Sequence, residues 1–155
     1  MNSAWDSFDL KLLTALQESA ALTNAELGEV IGLSASQISR RRQKLEEAGV
    51  IRRYRAALDP EALGLRVTAY VGVTLGAHSR ENARKFRNMV TAMPEVQEAY
   101  TLTGDVDYML KIVVPDLKKL SRIINDDLLT QEAVQHVRSS IAMETLKDDN
   151  LLPLG

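Results

Sequence analysis

The chain contains no cysteine. Disulfides, thiolate nucleophiles and cysteine-ligated zinc are therefore excluded. No apolar run approaches the ~18 residues that a membrane-spanning helix needs. The first residues lack the cationic start and apolar stretch of a signal peptide. Histidine is scarce: His78 and His136 stand alone, each better read as a surface or packing residue than as a ligand. No phosphate loop, dinucleotide fingerprint or zinc-ligand spacing occurs. With these constellations missing, neither enzymatic activity nor a cofactor nor a bound metal is expected. A soluble cytoplasmic protein is. What is present is 155 residues, 45% of them hydrophobic, with a net charge of −2. That length suffices for one medium domain or two small ones.

The charge is unevenly spread. Between Arg40 and Arg55 lie Arg40, Arg41, Arg42, Lys44, Arg52, Arg53 and Arg55, opposed only by Glu46 and Glu47. This stretch carries +5 on a chain totalling −2, which leaves −7 for the remainder. A concentrated basic patch on an acidic chain is an electrostatic footprint for a polyanion.

The patch has an organised setting. Ser34 and Gln37 have capping-box spacing, which predicts a helix starting at Ala35, and Gly49 is a natural residue to end it after Ala48. At about 100° per residue, Ile38 and Leu45 fall together as an apolar anchor. Ser36, Gln37, Arg40, Arg41 and Lys44 share the opposite arc. A charged arc alone is most often a solvated helix face. Upstream, however, Thr23-Asn24-Ala25-Glu26 is a second capping box, opening a short helix to about Val30. Two short helices joined by a tight turn containing glycine, here Gly32-Leu33, make a helix-turn-helix. Hydroxyl, amide and guanidinium groups on its second helix are the types that read base edges and grip phosphates. A preceding helix over Trp5–Gln17, with Phe8, Leu12 and Leu16 on one stripe, would support the pair. Ile51–Leu58 suits a short strand or wing. Asp59-Pro60 breaks the chain and sets a domain boundary near residue 60.

Beyond that boundary the pattern alternates between periods. Val67, Ala69, Val71, Val73 and Leu75 recur at every second position, as in a strand with one buried face. A helix capped by Ser79 carries Ala83, Phe86, Val90 and Met93. Strands follow over Val96–Thr103 and Val106–Val114, separated by the Gly104-Asp105 turn. A helix opened by Pro115-Asp116 carries Leu117, Leu120, Ile123, Ile124 and Leu128. A last strand runs from Val134 to about Thr145. The order βαββαβ is that of a ferredoxin-like α+β sandwich. The Gly104 turn is open to two readings. Gly-Asp between strands is ordinary hairpin chemistry. Equally, a carboxylate can receive an α-ammonium group while turn amides and hydroxyls receive a carboxylate.

Three stretches together resemble one family. They are Asp9-x-Lys11-x-Leu13-x-x-Leu16-Gln17, the run GLSASQISRRRQKLEEAGVIRRYRAALDP, and Gly104-Asp105-x-Asp107-Tyr108. In this combination and order the chain resembles the Lrp/AsnC, or feast/famine, transcriptional regulators over nearly its whole length. The resemblance implies a winged helix-turn-helix domain over residues 1–60, including a short linker strand. It also implies a ferredoxin-like effector-sensing and oligomerisation domain over residues 61–155. The implied partners are double-stranded DNA, an amino acid effector and further copies of the chain, as dimers assembling to octamers. The helix-turn-helix reading itself puts Ser36, Gln37, Arg40 and Arg41 at base edges, with Lys44, Arg52 and Arg53 positioning the backbone. The resemblance places effector contacts at Thr101, Thr103, Gly104, Asp105, Asp107 and Tyr108, with Ser139 and Ser140 as weaker candidates from a facing subunit. One departure stands out: the family usually carries an apolar residue where this chain has Arg42. Arg42 is expected to snorkel or to pair with an acid, so that Arg42→Leu would leave DNA affinity similar and stability equal or better. The rival readings are an architectural DNA-compacting protein with little effector response, and a ferredoxin-like enzyme with an accessory DNA-binding domain.

Overall fold

A computed structural model describes residues 5–76, 79–148 and 151–154. His78 lies outside the described residues. The chain divides into two compact units. One holds the described residues up to Ala57 together with those from Lys147 onward; the other is Leu58–Leu146. The C-terminal residues thus group with the first unit, away from the sheet domain in which the sequence reading put them.

The first unit is built on three helices, α1 (Ser7–Glu18), α2 (Asn24–Ile31) and α3 (Ala35–Glu47), each opened by a reciprocal capping box. In each box the cap side chain satisfies an orphan N–H, and the N3 side chain returns a bond to the cap N–H. Asp6 with Asp9 opens α1, Thr23 with Glu26 opens α2, and Ser34 with Gln37 opens α3. Leu12, Leu16, Leu27, Ile31, Ile38 and Leu45 close the core between the helices. The turn between α2 and α3 is tight because Gly32 is left-handed (φ 82°) and the Gly28 carbonyl accepts from both Gly32 N–H (2.8 Å) and Leu33 N–H (3.0 Å). Gly28 itself admits no side chain: a Cβ there would run into the Leu33 carbonyl oxygen. The C-terminal tail is held on α1 by one amide. Gln17 Oε1 accepts from Leu152 N–H at 2.7 Å, and Gln17 Nε2 donates to Leu152 O at 3.2 Å.

No strand forms over Ile51–Leu58, contrary to expectation. The segment runs on without a neighbouring strand to supply the ladder of hydrogen bonds that a strand requires.

The second unit has the expected element order: β1 (Val67–Leu75), α4 (Arg80–Ala92), β2 (Val96–Thr101), β3 (Tyr108–Val114), α5 (Leu117–Arg122) and β4 (Val134–Ile141). The sheet is antiparallel with order β2-β3-β1-β4. Ala69, Val71, Val73 and Leu75 of β1 and Tyr108, Leu110, Ile112 and Val114 of β3 line the core with Phe86, Val90, Leu120, Ile123 and Leu128. Both β2 and β4 end earlier than expected, at Thr101 and Ile141. The expected single helix after Asp116 changes character at Ile123, where it becomes a π-helical stretch over Ile123–Leu128. In a regular α-helix Ile123 and Leu128 would lie about 140° apart. Widening the turn brings them closer to one face, and both are buried.

The opposite sheet face is open. Register places Glu98 and Tyr100 of β2, Met109 and Lys111 of β3, Tyr70, Gly72 and Thr74 of β1, and His136, Arg138 and Ser140 of β4 on it. Tyr70 and Tyr100 are exposed there.

Candidate functional site

α3 presents the first site. Ile38 and Leu45 are fully buried and fix its rotation. Ser36, Gln37 and Arg40 are exposed on its first turns. Gln37 is partly committed: its Oε1 accepts from Ser34 N–H at 2.9 Å and from Ser34 Oγ–H at 3.0 Å. Its Nε2 is left as the outward donor. Arg52 and Arg53 are exposed on the segment that follows.

Arg41 behaves differently. Its Nη1 donates to Asp6 at 2.9 and 2.8 Å and to Asp9 Oδ1 at 2.6 Å, and its guanidinium lies 5.5 Å from the Phe8 ring centroid. Asp6 and then Asp9 hold the guanidinium even more firmly protonated than usual. Asp9 is wholly buried, and its carboxylate also accepts from Asp6 N–H at 3.3 Å. Arg41 therefore braces α3 against the start of α1. Lys44 sits at the edge of this cluster, 3.9 Å from Asp9 Oδ2 and 5.1 Å from the Trp5 ring centroid, and stays 61% exposed. Sequence reasoning missed the brace: the capping-box spacing of Asp6-x-x-Asp9 signals the start of α1, not its pairing with Arg41.

Arg42 finds partners other than the expected acid. Its Nη1 donates to Asn24 Oδ1 at 3.0 Å, and its Nε to Tyr54 Oη at 3.3 Å, with the guanidinium 5.1 Å from the Tyr54 ring centroid. Tyr54 in turn donates to Glu46 at 2.7 Å. Burial first, then Glu46, pushes the Tyr54 phenol above its ordinary range. Arg42 thus ties α2, α3 and the following segment together.

The second site surrounds the turn between β2 and β3. Gly104 has φ 133°. Thr101, Thr103, Gly104 and Asp105 are exposed. Asp107 is partly engaged in structure: its Oδ2 accepts from Leu75 N–H at 2.7 Å, pinning the end of β1. Tyr108 is buried against Phe86, with ring centroids 4.7 Å apart, and belongs to the core. Ser139 and Ser140 are exposed but fall on opposite faces of β4, opposite Val71 and Tyr70 respectively. Of the predicted residues, only Asp105 lines the cavity at this turn. That cavity, of about 240 Å³, is bounded by Gly72, Thr74, Asp105, Val106, His136 and Arg138. His136 and Arg138 were missed. The two-residue period of β4 would have put both on the open face.

Comparison with known proteins decides the family. Residues 68–152 match the Lrp/AsnC ligand binding domain, and residues 6–52 match a winged helix-turn-helix DNA-binding domain. The chain belongs to the Lrp/AsnC family of transcriptional regulators. It is 39% identical over 149 residues to the transcriptional regulator AzlB of Bacillus subtilis, spanning 96% of this chain and 95% of that one. Among solved structures, it is similar to a Neisseria meningitidis transcriptional regulator in complex with L-Met, with TM-score 0.94, 36% identity and 97% of both chains covered. It is also similar to an AsnC family regulator from Agrobacterium tumefaciens, with TM-score 0.91, 41% identity and 97% of both chains covered. The Lrp/AsnC chain is accordingly a DNA-binding regulator with a ligand-binding domain, and its relatives are regulators rather than enzymes. No helix among the described residues is long and apolar enough to cross a membrane.

Proposed function

We propose that the chain binds specific DNA in the cytoplasm through α3 and changes its assembly or its DNA affinity when an amino acid occupies the sheet domain. The carrying observation is the division of α3. Ile38 and Leu45 are buried, while Ser36, Gln37 and Arg40 remain exposed on the turns that helix-turn-helix proteins direct at base edges. Lys44, Arg52 and Arg53 supply phosphate contacts. Arg41, occupied by Asp6 and Asp9, positions α3 instead. The likeness to a regulator solved with L-Met supports an amino acid effector. It acts near Asp105, with Thr101, Thr103 and Gly104 on the rim.

Self-association is part of the reading. A four-stranded sheet covered by helices on one face leaves Tyr70 and Tyr100 exposed on the other. Such a face suits a second copy, giving dimers that assemble further, to an octamer. A dimer would set two α3 helices in successive major grooves about 34 Å apart on a near-palindromic site.

The test is selection of bound duplexes from a random pool, repeated with and without amino acids, with light scattering on the free protein. An enriched motif with half-sites one helical turn apart, whose occupancy changes with an amino acid, supports the proposal. Binding without an enriched motif, indifferent to every amino acid, contradicts it and favours DNA compaction.

A further inference from the structure

Gln37 is held by the cap of α3 at one end of its amide only. The Ser34 main-chain N–H donates to its Oε1 at 2.9 Å, and the Ser34 hydroxyl donates to the same oxygen at 3.0 Å. A main-chain N–H can only donate, so the amide has to turn its oxygen inward. The bonding is reciprocal, since Gln37 N–H donates to Ser34 Oγ at 3.3 Å. Ser36 closes the cluster. The single Ser34 proton already goes to Gln37, so the 3.1 Å contact between the two hydroxyls is a donation from Ser36 to Ser34. The Ser34 hydroxyl then has its one donor and both acceptor positions in use.

What Gln37 has left is Nε2, on an exposed side chain in the first turn of α3. Among the described residues it meets no acceptor. A glutamine free at both ends grips adenine by a fork, donating to N7 and accepting from the N6 amino group. Here the fork would gain one bond at the base and break two at the cap, so the inward oxygen is the favoured state. In that state Gln37 only donates. In the major groove guanine O6 and N7 and thymine O4 accept, whereas the amino groups of cytosine and adenine donate.

We propose that Gln37 selects a keto base, guanine or thymine, on the strand it faces, an inference that rests on the reading of α3 as the helix directed at base edges. The capping box then both starts α3 and sets the polarity of the group that α3 presents. The same chain builds this box with the opposite polarity in α2. There Glu26 Oε2 accepts from Thr23 N–H and from Thr23 Oγ1–H, both at 2.7 Å. A glutamate in place of Gln37 would therefore cap α3 in the same way, and its second oxygen would be an outward acceptor.

The experiment is selection of bound duplexes from a random pool by the full chain, by Gln37→Ala and by Gln37→Glu, followed by competition anisotropy on duplexes that differ at the one base pair affected. Melting curves check that each variant is folded. A keto base always faces an amino base across the pair, so the outcome is read as the orientation of that pair relative to the centre of the two half-sites. The parent should prefer one orientation by roughly two- to tenfold. Gln37→Ala should level that pair and leave the others. Gln37→Glu should invert it, although the added negative charge lowers affinity for every duplex. If the pair keeps its orientation in Gln37→Glu, Gln37 holds adenine by the fork in the complex, and the inference is overturned. A parent motif that neither variant changes at any pair would also overturn it, while leaving sequence-specific binding standing. No enriched motif for the parent would overturn both.

Discussion

Arg41 Nη1 lies 2.6 Å from Asp9 Oδ1, and the Asp9 side chain has no exposed surface at all. A carboxylate so placed is tolerable only while its counter-ion stays. Arg41→Ala should therefore destabilise the chain by roughly 2–3 kcal/mol, less than the ~3–5 typical of fully buried pairs, because Arg41 keeps some exposure and Lys44 stands nearby. Replacing both partners, Arg41→Met with Asp9→Leu, should recover most of the loss. Urea unfolding of the parent and the two variants measures this. If Arg41 instead gripped DNA, Arg41→Ala would reduce DNA affinity while leaving the unfolding midpoint in place.

The same cluster predicts a response to acid. The Asp6 carboxylate lies below its ordinary 3.8, first because Asp9 N–H donates to it and then because Arg41 does. A group whose folded value is depressed stabilises the fold above its unfolded value and loses that contribution as pH falls through the folded one. Glu26, held below its ordinary 4.5 chiefly by the Thr23 N–H, acts in the same direction. Stability should thus be flat near neutrality and fall as the solution is acidified below about pH 4. Asp6→Asn should start lower and show a shallower acid limb. Melting temperature measured against pH would expose the error if the two limbs ran parallel.

Capping boxes, turn glycines and apolar periods are local signals, and nine of the ten expected elements occur in the expected order. Long-range pairings were not legible. Nothing local says that Arg41 reaches back to Asp6 and Asp9, 35 and 32 residues away. The Ile51–Leu58 strand failed because a favourable composition cannot supply a neighbouring strand. At the ligand turn, the motif drew attention to Asp107 and Tyr108. Their conspicuous chemistry turned out to be employed by the fold, in the Leu75 N–H bond and the Phe86 contact. The cavity walls came instead from β1, Asp105 and Val106 of the turn, and β4, which the sheet register brings together.

Arg42→Leu now carries a different expectation. The sequence suggested a neutral or stabilising change. The structure gives Arg42 bonds to Asn24 and Tyr54 and a place over the Tyr54 ring. Losing them should cost about 1 kcal/mol. It should also loosen Tyr54 and the arginine-bearing segment around it. Hydrogen exchange should rise from Arg52 to Ala57, with unchanged base preference in a DNA-binding assay. A variant more stable than the parent would return the argument to the earlier expectation.

Gly28→Ala separates intrinsic propensity from packing. In an open helix the change would favour the fold by about 0.8–1 kcal/mol. Here the new methyl would meet the Leu33 carbonyl oxygen, part of the backbone that turns α2 into α3. That atom cannot move without disturbing the Ser34 cap. The net change should be a loss of about 1–3 kcal/mol. DNA affinity should fall with it, because the Ile38 and Leu45 anchor that fixes the rotation of α3 would be displaced. A higher melting temperature in Gly28→Ala would show that the turn relaxes without cost.

Arg40 and Lys44 offer the sharpest contrast on DNA. Both are exposed cations of α3, but Arg40 follows the first turn, whereas Lys44 lies near the end, beside Trp5 and Asp9. A base contact and a phosphate contact leave different signatures. Arg40→Ala should cost roughly 1–3 kcal/mol against the preferred sequence and little against random duplex, so the ratio between them collapses. Lys44→Ala should weaken both about equally and lower the log–log salt slope by roughly 0.9 for each copy bound. Fluorescence anisotropy on the two duplexes across a salt series resolves the pair. Should Lys44→Ala change the sequence ratio and Arg40→Ala only the slope, α3 would lie in the groove with its C-terminal half leading, and the roles given to its two ends would have to be exchanged.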